Sequence, residues 1–247
     1  MTLRFHEIAE SRHRILNPLS ADKLRLIGRI CSASGPTRIL DLCCGKAEML
    51  CTWAAEHDVS GVGVDISEVF LAAARQRAVE LGVDDRVSFV HADATDYVTE
   101  VAEQFDVVSC IGATWIGNGL IGTLELMRPR MKPDGLIAVG EPYLIDPLPA
   151  GMSVHGIGNE DWVSLAGTHQ RCEEAGFDMV EMVLSNTDDW DRYAAAQWST
   201  VDEWLRQHPD DPASDALDEW IRAGQRSYLN VDRRYLGWGV FVLRSKR

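Results

Sequence analysis

The stretch R-I-L-D-L-C-C-G-K-A-E-M-L, residues 38–50, decides the fold. Its I-L-D-L half is the apolar run of a buried strand, a turn of small residues follows, and Ala47 onward reads as a helix. A chain turning so sharply lets a ligand approach its backbone only where side chains are small. Gly45 supplies that freedom, while Cys43 and Ala47 are small without being glycine. The helix behind the turn would present unpaired N–H groups to a carboxylate or another polar ligand. A second reading is a thiol site built from Cys43, Cys44 and Cys51, because a helix N-terminus can lower a thiol pKa. Adjacent cysteines are a poor ligand pair, and no C-x-x-C or nearby histidine accompanies them, so no metal is expected.

Working outward, strand-like runs recur at 38–42, 60–65, 87–92, 105–111, 136–140, 177–184 and 237–244. Helical periodicity or good helix formers fill 20–34, with Ser20 as a cap, then 47–57, 67–81, 95–103, 119–131 and 164–175. This alternation predicts an α/β fold, a mostly parallel sheet with helices on both faces, whose ligands bind outside the carboxyl ends of the strands. A Pro-rich loop follows Gly140. Between 185 and 236 lies an acidic, Trp-rich insertion in which Trp190, Tyr193, Ala194, Gln197, Trp198, Val201 and Leu205 share one helical face. Such a stripe is either core packing or a lid that packs with one face and meets a ligand with the rest.

The 247 residues suit one elaborated domain, 1–247: an N-terminal helical cap over 1–34, a ligand-binding core over 35–144 and the helical insertion over 185–236. A formal charge of −14 argues against a general nucleic-acid binder, since phosphate backbones demand a basic surface. No apolar run of about 18 residues is present, and the acid-containing amphipathic start is unlike a secretory signal. Six cysteines scattered through apolar segments suit reduced thiols. A cytoplasmic protein with no membrane contact is expected. The sequence carries no signal of oligomeric state.

Carboxylates mark successive strand ends. Asp65 ends G-V-G-V-D, where it could accept two hydrogen bonds from ribose hydroxyls, and Ile66 beside it could cover an adenine face. Asp93, in H-A-D-A, could accept from an adenine amino group. Any one of these alone would be an ordinary helix cap; together with Asp41 they form a constellation.

The order D-L-C-C-G-K-A, G-V-D-I-S, H-A-D-A, F-D-V-V-S-C-I-G-A-T-W and M-K-P-D-G resembles the class I S-adenosylmethionine-dependent methyltransferases. More narrowly, H-R-I-L-N-P, G-A-T-W-I-G, G-E-P-Y, W-D-R-Y and G-W-G-V-F resemble a small, poorly characterised bacterial group taken to act on small molecules. The resemblance implies a Rossmann-like, seven-stranded sheet of order 3-2-1-4-5-7-6 with the last strand antiparallel, and S-adenosyl-L-methionine as cofactor. It also places the loop from Cys43 to Ala47, which follows Asp41, at the methionine part, Asp65 at the ribose, and Asp93 and Ala94 at the adenine. Cys110 to Trp115 would lie near the donated methyl. The family's G-x-G-x-G loop keeps only its middle glycine here, Gly45.

Methyl transfer is an in-line displacement at an already activated carbon, so positioning supplies much of the rate. A base is needed only when the acceptor arrives protonated. His13, Glu141 and Tyr143 are the candidates, against a surface histidine, a structural carboxylate and a packing aromatic respectively. Trp115 could hold the sulfonium or a cationic acceptor, or simply form a wall. Asn17 and Tyr193 are further candidates for substrate contacts. The expected function is methyl transfer to a nucleophilic atom of a small molecule, and the alternative is a non-catalytic cofactor-binding regulator or partner protein. A nicotinamide-dependent oxidoreductase would need G-x-G-x-x-G, which is missing. No N-P-P-Y-like segment follows the fourth strand, which disfavours exocyclic base amines.

Overall fold

The computed structural model describes residues 2–31, 36–152 and 163–246, and β1 (Thr37–Leu42) stands near the middle of its sheet. The other strands are β2 (Val59–Asp65), β3 (Val87–His91), β4 (Phe105–Ile111), β5 (Met131–Leu144), β6 (Phe177–Leu184) and β7 (Leu236–Ser245). Their order is β3-β2-β1-β4-β5-β7-β6, and β7 runs antiparallel to both of its neighbours. The α/β class, the strand order and the antiparallel last strand all match the expectation.

Period-two alternation divides the interior into two cores. Ile39, Val107, Ala138, Val240 and Val242 face one side of the sheet, while Leu40, Leu42, Val108, Ile137, Val139 and Phe241 face the other. Both faces are covered by helices, which is why the central strands read as continuous apolar runs. On the first side lie α2 (Ala21–Cys31), α3 (Glu48–Glu56) and α4 (Glu68–Glu80); on the second, α5 (Ala94–Glu100), α6 (Leu120–Met127) and α7 (Leu165–Glu174). Trp53 of α3 is fully buried, and its indole N–H donates to Leu24 O at 2.9 Å across to α2.

Three boundaries differ from the sequence reading. The segment expected at 20–34 forms α2, described as far as Cys31; its expected continuation lies outside the described residues. Residues 131–135 do not simply end a helix, because Met131 already pairs with Phe105 and the register then jumps to Leu136 beside Val107, so the P-D-G turn loops out of β5. The expected loop after Gly140 is instead more strand, paired from Glu141↔Gly239 to Leu144↔Leu236. Pro142 sits where β5 has lost its β4 neighbour, an edge position that suits a residue with no N–H.

The insertion forms α8 (Thr187–Gln207) and α9 (Ser214–Ser227), with a π turn at Tyr228–Asp232. A helix the sequence reading did not delimit, α1 (Leu3–Ala9), packs on them through Ile8, Ala9, Val201, Leu217 and Ile221. Trp198 and Leu205 of the aromatic stripe join this small core, so the N-terminus and the insertion form one unit.

Candidate active site

A cavity of about 1580 Å³ opens at the carboxyl ends of β1, β2, β4 and β5, roofed by the N-terminal segment, α8 and α9. Its floor is the loop after β1. Cys43, Gly45 and Ala47 have φ of 56°, 54° and 51°, so all three adopt the left-handed conformation that glycine tolerates best. The cysteine and alanine therefore keep a glycine backbone. A Cβ at Gly45 would stand 2.6 Å from Leu16 Cδ1, so the one glycine retained is at a point of close approach. Ala47 precedes α3 without a side-chain cap, which leaves that helix's first N–H groups to a ligand.

Asp65 fastens this loop from the next strand. Its Oδ2 accepts from Gly45 N at 2.7 Å and its Oδ1 from Ser67 N at 2.8 Å. Burial raises its pKa, and the two N–H donors oppose that rise. Asp41 is buried at the end of β1, with Oδ1 accepting from Ser109 Oγ at 2.8 Å. Its pKa is pushed up to about 7 by burial and by the Asp65 charge, against the Ser109 bond. Asp93 caps α5, its Oδ1 accepting from Thr95 N at 2.8 Å and Asp96 N at 3.3 Å. Ala94 is buried next to it, while Ile66 is 56% exposed on the cavity wall.

Glu141 reaches the cavity from β5 and is 7% exposed. One of its oxygens is buried with no hydrogen-bond partner among the described residues. Burial raises its pKa, opposed by the Thr114 hydroxyl and by the charge of Arg171. Trp115 lies on the 3₁₀ turn that follows β4, 71% exposed at the cavity edge. Asn17 donates from Nδ2 to Ile111 O at 3.3 Å. Its Oδ1 presses on Gly112, whose φ is +83° and where a Cβ would stand 2.2 Å away.

His13, Tyr143 and Cys110 stand outside the cavity lining. His13 is held within the roof: its Nδ1 lies 3.0 Å from Glu10 Oε2 and its Nε2 3.2 Å from Tyr193 O. Tyr143 packs against Gly237, where a Cβ would meet its ring at 2.3 Å. Cys110 is fully buried behind Cys43. Tyr193 lines the cavity, but its hydroxyl is committed to Glu10 Oε1 at 2.6 Å, and burial followed by that carboxylate pushes its pKa well up. Against the thiol reading, burial raises Cys51 to about 12 and Cys44 well above its usual value.

Two residues passed over in the sequence organise the roof. Lys46 Nζ donates to the carbonyls of Glu10, Ser11 and His13 at 2.6, 2.8 and 2.8 Å, clamping the N-terminal segment onto the loop. Its own pKa is lowered by burial, with the Glu10 charge opposing. A lysine inside an otherwise small-residue turn was its one sequence signal. Glu10 is fully buried and also accepts from Gln197 Nε2 at 2.6 Å. Burial pushes its pKa up, but bonding with His13, Tyr193 and Gln197 outweighs this and holds it below the ordinary value.

A left-handed loop after β1, carboxylates at the ends of β1 and β2, and this strand order define a class. The chain belongs to the S-adenosylmethionine-dependent methyltransferases, and S-adenosylmethionine is its cofactor. A family model for a methyltransferase domain matches residues 39–135. Within the class, the chain is 42% identical to YjhP of Escherichia coli (strain K12), an uncharacterized protein, over 97% of each chain. It is also 42% identical to a Geobacter sulfurreducens S-adenosylmethionine-dependent methyltransferase crystallised with S-adenosyl-L-homocysteine, with TM-score 0.93 and 99% of each chain covered. The demethylmenaquinone methyltransferase of Clavibacter sepedonicus is 30% identical over 83% of this chain and 71% of its own.

Proposed function

We infer that this enzyme transfers the methyl group to a small molecule held beneath α1, α8 and α9. The carrying observation is the size of the cavity beneath its helical roof. Ligand pockets span about 300–1,000 Å³, and this one, at about 1580 Å³, leaves room for a second ligand beside the cofactor under a roof of packed helices. The net charge of −14 favours a small acceptor over nucleic acid. The relative named for demethylmenaquinone supports a small-molecule acceptor as well. Six free cysteines suit a reducing cytoplasm.

The floor divides into roles. The loop from Cys43 to Ala47 and the start of α3 receive the methionine part of the cofactor, whose carboxylate meets uncapped N–H groups. Asp65 keeps lone pairs for ribose hydroxyls beyond the two N–H bonds it accepts. Ile66, Asp93 and Ala94 frame the adenine, since Asp93 caps α5 with one oxygen and keeps the other. Glu141 and Trp115 border the acceptor. His13, Tyr143 and Tyr193 serve the roof and the sheet, and Asn17 sets the chain against the end of β4.

Calorimetric titration with S-adenosyl-L-homocysteine tests this arrangement. Asp65→Ala should weaken binding by roughly 1.5–3 kcal/mol, the range for hydrogen bonds to a charged group. Unchanged affinity in that variant would remove Asp65 from the cofactor site.

A further inference from the structure

Besides the loop after β1, the cavity is lined by aromatic side chains and a buried acid. Trp115, Trp190, Trp198, Trp220 and Tyr228 line it, drawn from the turn after β4 and from both lid helices. Trp190 stacks obliquely on Tyr228, with ring centroids 6.2 Å apart, and Trp198 meets the same tyrosine edge-on at 5.8 Å. Aromatic faces of this kind attract a desolvated cation through their quadrupoles.

The acids point the same way. Glu141 is 93% buried, shares the cavity, and leaves one oxygen unpartnered among the described residues. Asp232, at the end of the π turn, also lines the cavity. Of the cations that line it, Lys46 spends its charge on three carbonyls, Arg14 pairs with Glu80 at 3.0 Å, and the charge of Arg171 acts on Glu141 itself. An anionic acceptor, whether phenolate, thiolate or carboxylate, would share the cavity with the Glu141 and Asp232 carboxylates while Lys46 and Arg14 are committed elsewhere.

We propose that the methyl acceptor is an amine, bound as its ammonium form in the aromatic cage with an N–H directed at the Glu141 carboxylate. This inference rests on the small-molecule reading above. The ammonium proton passes to Glu141, the nitrogen lone pair forms the new N–C bond, and the C–S bond breaks with its electron pair returning to sulfur. The products are S-adenosylhomocysteine and the N-methylated ammonium ion, and Glu141 then gives its proton to water. Because burial leaves Glu141 less willing to stay ionised than a surface carboxylate, it is the better base near neutrality.

The test uses the whole chain saturated with S-adenosyl-L-homocysteine, with tryptophan fluorescence as the readout. Benzylammonium is titrated beside its neutral isostere ethylbenzene and beside phenylacetate. The cation should bind at least tenfold more tightly than either, and Glu141→Gln should erase most of that preference while leaving the affinity for S-adenosyl-L-homocysteine unchanged. Equal binding of cation and isostere in the wild-type protein would overturn the proposal, whatever the variant does. Supplying methyl-labelled cofactor with a metabolite extract separates the two levels. Labelled low-mass product retained on a cation exchanger at acid pH supports the amine. Labelled low-mass product found only in the unretained fraction sinks the amine and spares the small-molecule reading, and label found only in macromolecules sinks both.

Discussion

The Gly45 N–H donates to Asp65 Oδ2 at 2.7 Å, so the turn leaving β1 is fastened to the end of β2. Asp65 closes its other side on Ser67 N at 2.8 Å. One carboxylate thus fixes the shape of the loop and stands at its rim. The left-handed residues on either side of Gly45 are held in place by this tie and by the burial of Ala47.

Substitutions in the loop should separate backbone from side chain. Gly45→Val puts a β-branched residue at φ +54° against Leu16 and should abolish measurable S-adenosyl-L-homocysteine binding. Cys43→Gly removes a left-handed cost of about 1–2 kcal/mol and should keep binding within a few-fold. Calorimetry on the two variants checks this. A Gly45→Val protein that binds normally, or a Cys43→Gly protein that does not bind, would show that the loop does not act through its backbone.

Lys46→Met should loosen the roof without touching the sheet. Loss of a charged donor serving three carbonyls should cost on the order of 1.5–3 kcal/mol in chemical denaturation. Amide exchange should quicken in residues 3–19 before it does in β1 or β4. Unchanged exchange in that segment would mean that the packing of α1 on α8 and α9 holds the roof by itself.

Asp41 should leave a pH signature. Its folded pKa, about 7, lies above the ordinary 3.8, so the native state holds the proton more tightly than the unfolded chain does. Its contribution is therefore fully present below about pH 3.8 and is lost as pH rises towards about 7. Relative to Asp41→Asn, the wild-type protein should lose on the order of 4 kcal/mol of unfolding free energy across that range. Denaturation curves at several pH values measure the difference, and a flat difference would refute it. Glu10 carries the opposite sign: its contribution is present above 4.5 and is lost as pH falls through its lower folded value.

The sheet was legible because its signals are local. Continuous apolar runs gave the strands, and Asp41, Asp65 and Asp93 each lie at or just past the carboxyl end of one of them. The roof was not, because its bonds join distant parts of the chain: Tyr193 to Glu10 across 183 positions and Lys46 to Glu10 across 36. No periodicity encodes such a pairing. The aromatic stripe of α8 was legible as a stripe; Trp198 packs in the core shared with α1 and α9 and also lines the cavity. His13 and Tyr143 illustrate a different limit: proximity to a strand end or a lid segment does not say which way a ring points. Glu141 was placed at the correct edge, although the strand runs three residues beyond it because β7 continues the pairing.

Methyl transfer to a small molecule in this cavity would leave its label in the low-mass fraction. Wild-type protein and Gly45→Val are each incubated with methyl-labelled S-adenosylmethionine and a metabolite extract, then passed through a low-mass filter. Labelled filtrate is expected from the wild-type protein and none above background from the variant. Label retained with protein or nucleic acid, or equal labelled filtrate from both proteins, would contradict that transfer.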